Sequence, residues 1–306
     1  MAKVLLATEK PFAAAAVKGI REIIEQAGFE FVTLEKYTEK QQLLDAAADA
    51  NAIIIRSDII DSEVITAAKD LKIVVRAGAG FDNVDLAAAT ASNVCVMNTP
   101  GQNANAVAEL VMGMLLFGAR NQFNGTSGWE LKGKKLGIHA YGNVGRNVAR
   151  IAKGIGMEIY AFDPYCPAEV IEKDGVKALS SVEELYKTCQ IVSLHIPATA
   201  ETKNSIGRNV LSLMPANAVL VNTARKEVIN EAELAEMMEE RKDLAYLSDI
   251  KPGNDETLKA FGNRYFSTPK KMGAQTFEAN VNAGLAAASQ IVDFIKNGNE
   301  KFRVNK

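Results

Sequence analysis

Lys135-Leu136-Gly137-Ile138-His139-Ala140-Tyr141-Gly142-Asn143-Val144-Gly145-Arg146 is the stretch that decides the fold. A short apolar run at 135–140 passes through two glycines straight into a helical pattern over 146–155. This is the Gly-x-Gly-x-x-Gly turn with Ala140 in place of its first glycine. It predicts a strand, a tight turn and a helix. Gly142 leaves the backbone bare for a pyrophosphate, Gly145 lets helix and strand pack closely, and the helix N-terminus offers free N–H groups to the phosphate charge. The next strand ends in Phe162-Asp163-Pro164, roughly 20 residues beyond the last glycine, where a carboxylate accepts from ribose hydroxyls. It also repels the additional phosphate of NADP, and no Arg or Lys follows within 164–167 to offset that. NAD is therefore the expected cofactor, held by Gly142, Asn143, Val144, Gly145 and Asp163.

Outward from this turn, short apolar runs alternate with helical patterns, the signature of parallel sheets joined by crossover helices. Strands are expected at 3–7, 29–33, 52–56, 72–76 and 94–98, and in a second series at 136–140, 158–162, 191–194, 218–222 and 244–247. Helices are expected at 12–27, 61–69, 105–120 and 146–155. The polar loop with Gly125, Ser127 and Gly128 is the expected linker, and the last helix, 276–296, is long enough to cross back from the second domain to the first. The fold class is α/β, two doubly wound parallel-sheet domains. At 306 residues, two domains are also what length predicts.

Composition narrows the function. The chain is 48% hydrophobic and 24% charged, ordinary globular usage. A net charge of -2 gives no basic excess, so neither nucleic acid nor an anionic membrane is an expected partner. The longest apolar stretch, 106–119, is interrupted by Glu109 and too short to span a bilayer. Cys95, Cys166 and Cys189 are odd in number and scattered, which fits a reducing cytoplasm. No His/Cys/carboxylate cluster has ligand spacing, so no metal site is expected.

Several further stretches carry a resemblance. They are Ile55-Arg56-Ser57, Val75-Arg76-Ala77-Gly78-Ala79-Gly80-Phe81-Asp82-Asn83-Val84-Asp85, Met97-Asn98-Thr99-Pro100-Gly101-Gln102-Asn103, Val107-Ala108-Glu109-Leu110, His195-Ile196-Pro197 and Asn222-Thr223-Ala224-Arg225. In this order and spacing the chain resembles the D-isomer-specific 2-hydroxyacid dehydrogenases over nearly its whole length, and most of all their phosphoglycerate-oxidising branch. The resemblance implies a Rossmann NAD domain, 99–280, inserted into a flavodoxin-like substrate domain, 1–98 plus 281–306. It implies hydride transfer between C2 of a small phosphorylated 2-hydroxy acid and the nicotinamide, the cofactor carrying the hard step. Arg225 matches the arginine that grips the substrate carboxylate and polarises the reacting oxygen. Gly78, Ala79 and Gly80, after Ala77, look like the carboxylate-holding loop, and Arg56, Ser57, Arg76 and Asn103 match residues that face the substrate and its phosphate. His195, Pro197, Thr223, Ala224 and Asp249 match positions beside the cofactor, with Asp249 next to the nicotinamide carboxamide.

The chain departs from the family at one position of consequence. The usual acid/base histidine stands in Pro-His-x-Gly-Gly, whereas here the stretch reads Thr268-Pro269-Lys270-Lys271-Met272-Gly273. Lys270 takes the histidine's place, as in the branch members without a C-terminal regulatory domain, and the chain resembles that short form. A lysine, normally near pKa 10.4, serves near neutral pH only if desolvation or neighbouring cations lower it; Arg225 and Lys271 are the expected cations. The glutamate that partners the histidine aligns with Asn254, with Asp255 and Glu256 just beyond, and the sequence leaves open whether either of these replaces it. The two histidines present, His139 and His195, map elsewhere. The segment 120–133 is shorter than the family's dimerisation arm, and a homodimer is still expected.

Three readings remain at this point. The first is NAD-dependent oxidation of D-3-phosphoglycerate to 3-phosphohydroxypyruvate, with Arg225 orienting the carboxylate and Lys270 moving the proton. The second is a reductase of unphosphorylated 2-oxo acids such as glyoxylate or hydroxypyruvate. The third is a catalytically silent NAD-binding sensor.

Overall fold

The computed structural model describes residues 1–305. In chain order its elements are β1 (Lys3–Thr8), α1 (Ala14–Gln26), β2 (Glu30–Glu35), α2 (Lys40–Ala47), β3 (Ala52–Ile55), α3 (Ser62–Ala67), β4 (Ile73–Arg76), α4 (Leu86–Ala91) and β5 (Cys95–Asn98). Then come α5 (Ala104–Ala119), β6 (Lys135–His139), α6 (Asn143–Gly154), β7 (Glu158–Phe162), α7 (Ala168–Lys173), β8 (Lys177–Ala178), α8 (Val182–Thr188) and β9 (Ile191–Leu194). The chain continues with α9 (Arg208–Leu211), β10 (Val219–Asn222), α10 (Glu231–Glu240), β11 (Ala245–Ser248), α11 (Asp255–Lys259), β12 (Tyr265–Ser267) and α12 (Phe277–Asn297). It forms two compact units: Met1–Asn103 with Gln275–Lys306, and Ala104–Ala274.

The first unit holds five parallel strands in the order β2-β1-β3-β4-β5, a flavodoxin-like arrangement. β1, β3, β4 and β5 are buried on both faces, which is why they read as unbroken apolar runs, while the edge strand β2 alternates with exposed Glu30, Thr33 and Glu35. Val4, Leu6, Ala52 and Ile54 enter one core with Ile20 and Ile24 of α1 and Ala287 and Ile291 of α12. Leu5, Ala7, Ile53 and Ile55 enter the other with Leu43 of α2 and Val64 of α3. Each of the three buried isoleucines of β3 contributes about 1.5–3 kcal/mol of transfer free energy.

The second unit holds seven parallel strands in the order β12-β11-β10-β9-β6-β7-β8. The order reverses between β6 and β9, the switch point at which open α/β sheets bind ligands beyond their carboxyl ends. Because the strands are parallel, the segments leaving β6, β7, β9, β10, β11 and β12 all emerge on one edge.

The expected strands form, with ends displaced by a residue or two. β8 and β12 were not legible, since two or three residues at a sheet border carry no periodicity. The supposed linker is a correction: Gly125, Ser127 and Gly128 lie inside the second unit. There the Trp129 N–H donates to Ala119 O (2.9 Å) and the Trp129 ring packs on the core, folding the loop back onto α5. The final helix is a second one. The units divide at 103/104 and 274/275 rather than at 98/99 and 280/281, and α12 lies wholly in the first unit, capped by Thr276 and seated on the sheet beside α1. Among the described residues no helix is long and apolar enough to cross a membrane, and no three His, Cys, Asp or Glu side chains cluster as metal ligands.

Candidate active site

The nucleotide turn is built as its glycine spacing requires. Gly142 caps α6. A Cβ on it would point into open space, the room a pyrophosphate needs, whereas one on Gly145 would meet Ala140 O at 2.5 Å and Ile138 Cγ2 at 2.9 Å. Ala140 adopts φ +80°, the left-handed conformation for which the fingerprint uses glycine. Asn143 and Val144 form the first turn of α6. Asp163 closes the turn from β7: its carboxylate accepts from Tyr141 N (2.7 Å) and Tyr165 N (2.8 Å) and stays partly exposed.

No cation follows Asp163 in sequence, yet Arg146 of α6 reaches the same segment, its Nη2 standing 3.5 Å from Cys166 Sγ. Asp174 holds that guanidinium (2.8 Å), Tyr141 lies under it (4.9 Å), and the Tyr141 hydroxyl donates to the same carboxylate. Helical packing, not sequence proximity, brings this charge to the cofactor end.

Along the same edge, His139 ends β6 and His195 follows β9, joined by His195 N to His139 O (2.9 Å). Burial pushes the His139 imidazole down to about 4, against the pull of Asp163, and His195 to about 3, with His139 adding to the effect. Both are neutral at pH 7. His139 Nδ1 faces the Tyr186 hydroxyl at 3.4 Å, while His195 Nε2, Ser193 Oγ and Thr223 Oγ1 are buried polar atoms without a partner. Unsatisfied groups of this kind are rare and call for a ligand or water. With the open space at Gly142, they fit a dinucleotide lying along this edge. Pro197 is exposed in the same segment as His195.

Beyond β10 the buried Asn222 shapes the next segment. Its Oδ1 accepts from Ala224 N (2.9 Å) and its Nδ2 donates to Arg225 O (3.0 Å), so Thr223, Ala224 and Arg225 form a fixed turn. The motif alone assigns Asn222 no role; an amide that donates and accepts at once is what the turn needs. Arg225 donates to Ala224 O (2.9 Å). Beyond β11, Asp249 is buried, and its carboxylate accepts from Thr268 Oγ1 (2.9 Å), Met272 N (2.9 Å) and Gly273 N (2.8 Å). These bonds go to the loop carrying Lys270, which is itself exposed.

The three residues at and beyond the place of the family's glutamate have other partners. Asp255 is buried and accepts from Tyr265 Oη (2.6 Å), with Lys259 and Lys251 at 2.9 and 3.2 Å. The Tyr265 bond first, then the two lysines, hold its carboxyl down to about 2. Glu256 is exposed and pairs with Lys259, and Asn254 donates to Glu231 O. Among the described residues, no carboxylate forms an ion pair with Lys270.

The first unit carries the other residues. In the loop after β4, Gly78 adopts φ +150°, and a Cβ there would fall 1.4 Å from Arg76 Nη1, so the arginine folds over a glycine that must stay bare. Ala77 N and Gly78 N are used internally, by Ile55 O and Arg76 O, and Asn98 Nδ2 donates to Ala79 O (2.6 Å). Among the described residues, the amides of Ala79 and Gly80 make no hydrogen bond. Arg76 Nε donates to Arg56 O (3.0 Å). Arg56 is more committed than its sequence context implies. Nη2 donates to Asn280 Oδ1 (2.6 Å), Nη1 to Lys10 O and Pro11 O (3.3 and 3.2 Å), and the Phe12 ring lies 5.2 Å away. Ser57 is exposed and Asn103 half-buried.

Residues 113–266 match the family described as D-isomer specific 2-hydroxyacid dehydrogenase, NAD binding domain. The chain is 37% identical over 287 residues to D-3-phosphoglycerate dehydrogenase of Methanocaldococcus jannaschii, covering 88% of this chain and 54% of that protein. It thus spans about half the length of the curated phosphoglycerate dehydrogenases it matches first. It is 33% identical over 281 residues to hydroxypyruvate reductase of Thermotoga maritima, covering 86% and 90% of the two. Among solved structures it resembles NAD+-bound 3-phosphoglycerate dehydrogenase of Entamoeba histolytica, with a TM-score of 0.89 and 49% identity over 100% of this chain and 99% of that one. Sequence motifs, sheet order and these relatives agree, and the chain belongs to the family of D-isomer specific 2-hydroxyacid dehydrogenases.

Proposed function

We propose that this protein is an NAD-dependent dehydrogenase of D-3-phosphoglycerate. The observation that carries the reading is a single edge: the nucleotide turn, Asp163, the Asn222-shaped turn of Arg225 and the loop of Lys270 all leave the carboxyl ends of one parallel sheet. Bound NAD supplies the hydride-accepting chemistry at C2. Asp163 receives the ribose hydroxyls, and the first turn of α6 receives the pyrophosphate. Arg225 grips the substrate carboxylate and draws electron density from the C2 oxygen, and the free amides of Ala79 and Gly80 take a carboxylate oxygen. Lys270 Nζ takes the proton of the C2 hydroxyl in oxidation and returns it in reduction. Arg76 and Asn103 are assigned to the phosphate end. Assembly as a homodimer belongs to the same reading, with exposed Leu116 and Phe123 as apolar surface for a second copy; a monomeric mass by light scattering removes it.

A second reading has one observation in its favour. Arg56 is tied to Asn280 and two carbonyls, which leaves fewer donors for a phosphate and favours an unphosphorylated 2-oxo acid. NADH oxidation with 3-phosphohydroxypyruvate, run beside hydroxypyruvate and glyoxylate, separates the two. A strong preference for the phosphorylated acid is expected, and equal rates would move the assignment to the second reading. Lys270→Ala should lose at least about 100-fold in kcat, the lower range for a removed general acid/base, while binding NADH normally. No turnover of any of the three by the wild type, despite tight NADH binding, would identify a sensor.

A further inference from the structure

Between Ser267 and Phe277 the chain forms no helix or strand, yet this segment presents Lys270. A loop without its own hydrogen-bond ladder takes its shape from what anchors it. Here both ends are tied to one side chain. On the near side, Thr268 Oγ1 lies 2.9 Å from Asp249 Oδ1 and 3.0 Å from Asp249 O. On the far side, Met272 N donates to Oδ1 (2.9 Å) and Gly273 N to Oδ2 (2.8 Å). Lys270 and Lys271 form the apex between these anchors.

The choice of an aspartate is chemically specific. The site asks for a group that accepts from three donors, and a carboxylate only accepts. The Asp249 carboxylate is buried, and three donors replace the hydrogen bonds to water that burial removes. Asparagine would turn an N–H2 toward a donor and leave at least one amide unpaired. Gly273 completes the arrangement: a Cβ there would stand 3.0 Å from Asp249 Oδ2 and 3.4 Å from Val107 Cγ2, pressing the carboxylate away from the amides. The carboxylate's Oδ2 takes only the Gly273 amide, which leaves it an acceptor site for the nicotinamide amide that the resemblance assigns to it.

We propose that Asp249 is a positioning residue that acts through Lys270: its carboxylate latches residues 268–273 at both ends and so sets where Lys270 Nζ stands. The inference rests on Lys270 as the proton-transfer group. Misplacement of a reacting group by about 1 Å costs on the order of 100-fold in rate. Asp249→Asn should therefore lower kcat by roughly that factor, change KM less, and leave the NADH Kd within about threefold. Amide hydrogen exchange at Met272 and Gly273 should quicken, while exchange in the turn 140–145 stays as in the wild type. Coupling gives the decisive readout. The double variant Asp249→Asn/Lys270→Met should be no slower than Lys270→Met alone, because a positioning residue has nothing left to position. Thr268→Val, which removes only the hydroxyl, should show a smaller fall in kcat and serves if Asp249→Asn does not fold.

Three results would overturn the proposal: multiplicative losses in the double variant, unchanged exchange at Met272 and Gly273, or a weakened NADH Kd with kcat retained, which would return Asp249 to the cofactor. Full activity of Lys270→Met would sink the proton role on which the proposal rests. Faster exchange in Asp249→Asn would then mark the latch as a structural support alone.

Discussion

The turn from β6 into α6 and the loop after β12 leave the same edge of the seven-stranded sheet but take their shapes from different sources. Residues 140–145 are shaped mainly by their own backbone, a left-handed residue, a bare glycine and a helix N-terminus within six positions, with an outside tie from Tyr141 N to Asp163. Residues 268–273 are shaped by Asp249, some twenty positions earlier in the chain. The first kind of loop binds charge with main-chain groups and tolerates many side chains. The second holds one side chain in place and depends on another. On the proposed reading, Lys270 is the side chain that the second loop holds.

The sharpest way to break this comparison is a methyl group in each loop. Gly145→Ala brings its Cβ against Ala140 O and Ile138. Overpacking of this sort costs about 1–3 kcal/mol, so Tm should fall and NADH binding weaken by roughly 10–100-fold. Gly273→Ala, against the Asp249 carboxylate, should lower kcat while titration of NADH fluorescence gives nearly the wild-type Kd. If both variants lose cofactor affinity equally, the loops are not separable.

A second test probes the ground beneath the turn, where His139 is buried beside Tyr186, Phe162 and Asp163 and His195 is bonded to it through the main chain. Their folded values, about 4 and about 3, lie below the unfolded value near 6.5. Between those limits only the unfolded chain binds the proton, so each imidazole contributes stability that is complete above about pH 6.5. That stability is lost as pH falls toward 3–4, by about 1.4 kcal/mol per pH unit and site. Urea unfolding at pH 7 and pH 5 should show the loss, and His195→Gln should reduce it. Equal stability at the two pH values would mean that water reaches both rings.

The smallest effect expected is a gain. Ala140 pays for a left-handed φ that glycine adopts freely, so Ala140→Gly should stabilise the protein by up to about 1 kcal/mol, the steric relief being partly offset by glycine's greater unfolded-state entropy. Thermal unfolding would register it as a rise of a few degrees at most. A fall in Tm would show that the turn carries no strain at this position.

Much of the fold was legible because it is local. Apolar runs such as 52–55 announce doubly covered parallel strands, and Gly142, Gly145 and Asp163 announce a nucleotide turn, since each requirement falls on the residue's own backbone or strand end. The errors fell where a segment's meaning depends on what it touches. The supposed linker folds onto α5 through a single amide of Trp129, and the final helix stays in the first unit because Ala287 and Ile291 match the core above β1 and β3. Arg56 reads as a free strand-end cation until Asn280, over two hundred residues away, accepts from it.

The sequence by itself determined the two parallel sheets, the dinucleotide turn with its missing first glycine, and a lysine where the family's Pro-His-x-Gly-Gly stretch has its histidine. Only the tertiary structure decided that Asp255 answers to Tyr265 and two lysines, that Arg146 approaches the cofactor end from α6, and that Asp249 fastens the loop of Lys270. The reason is physical. Backbone conformation and burial periodicity are properties of neighbours in the chain, whereas the partner of a buried charge is whichever donor the fold brings within about 3 Å.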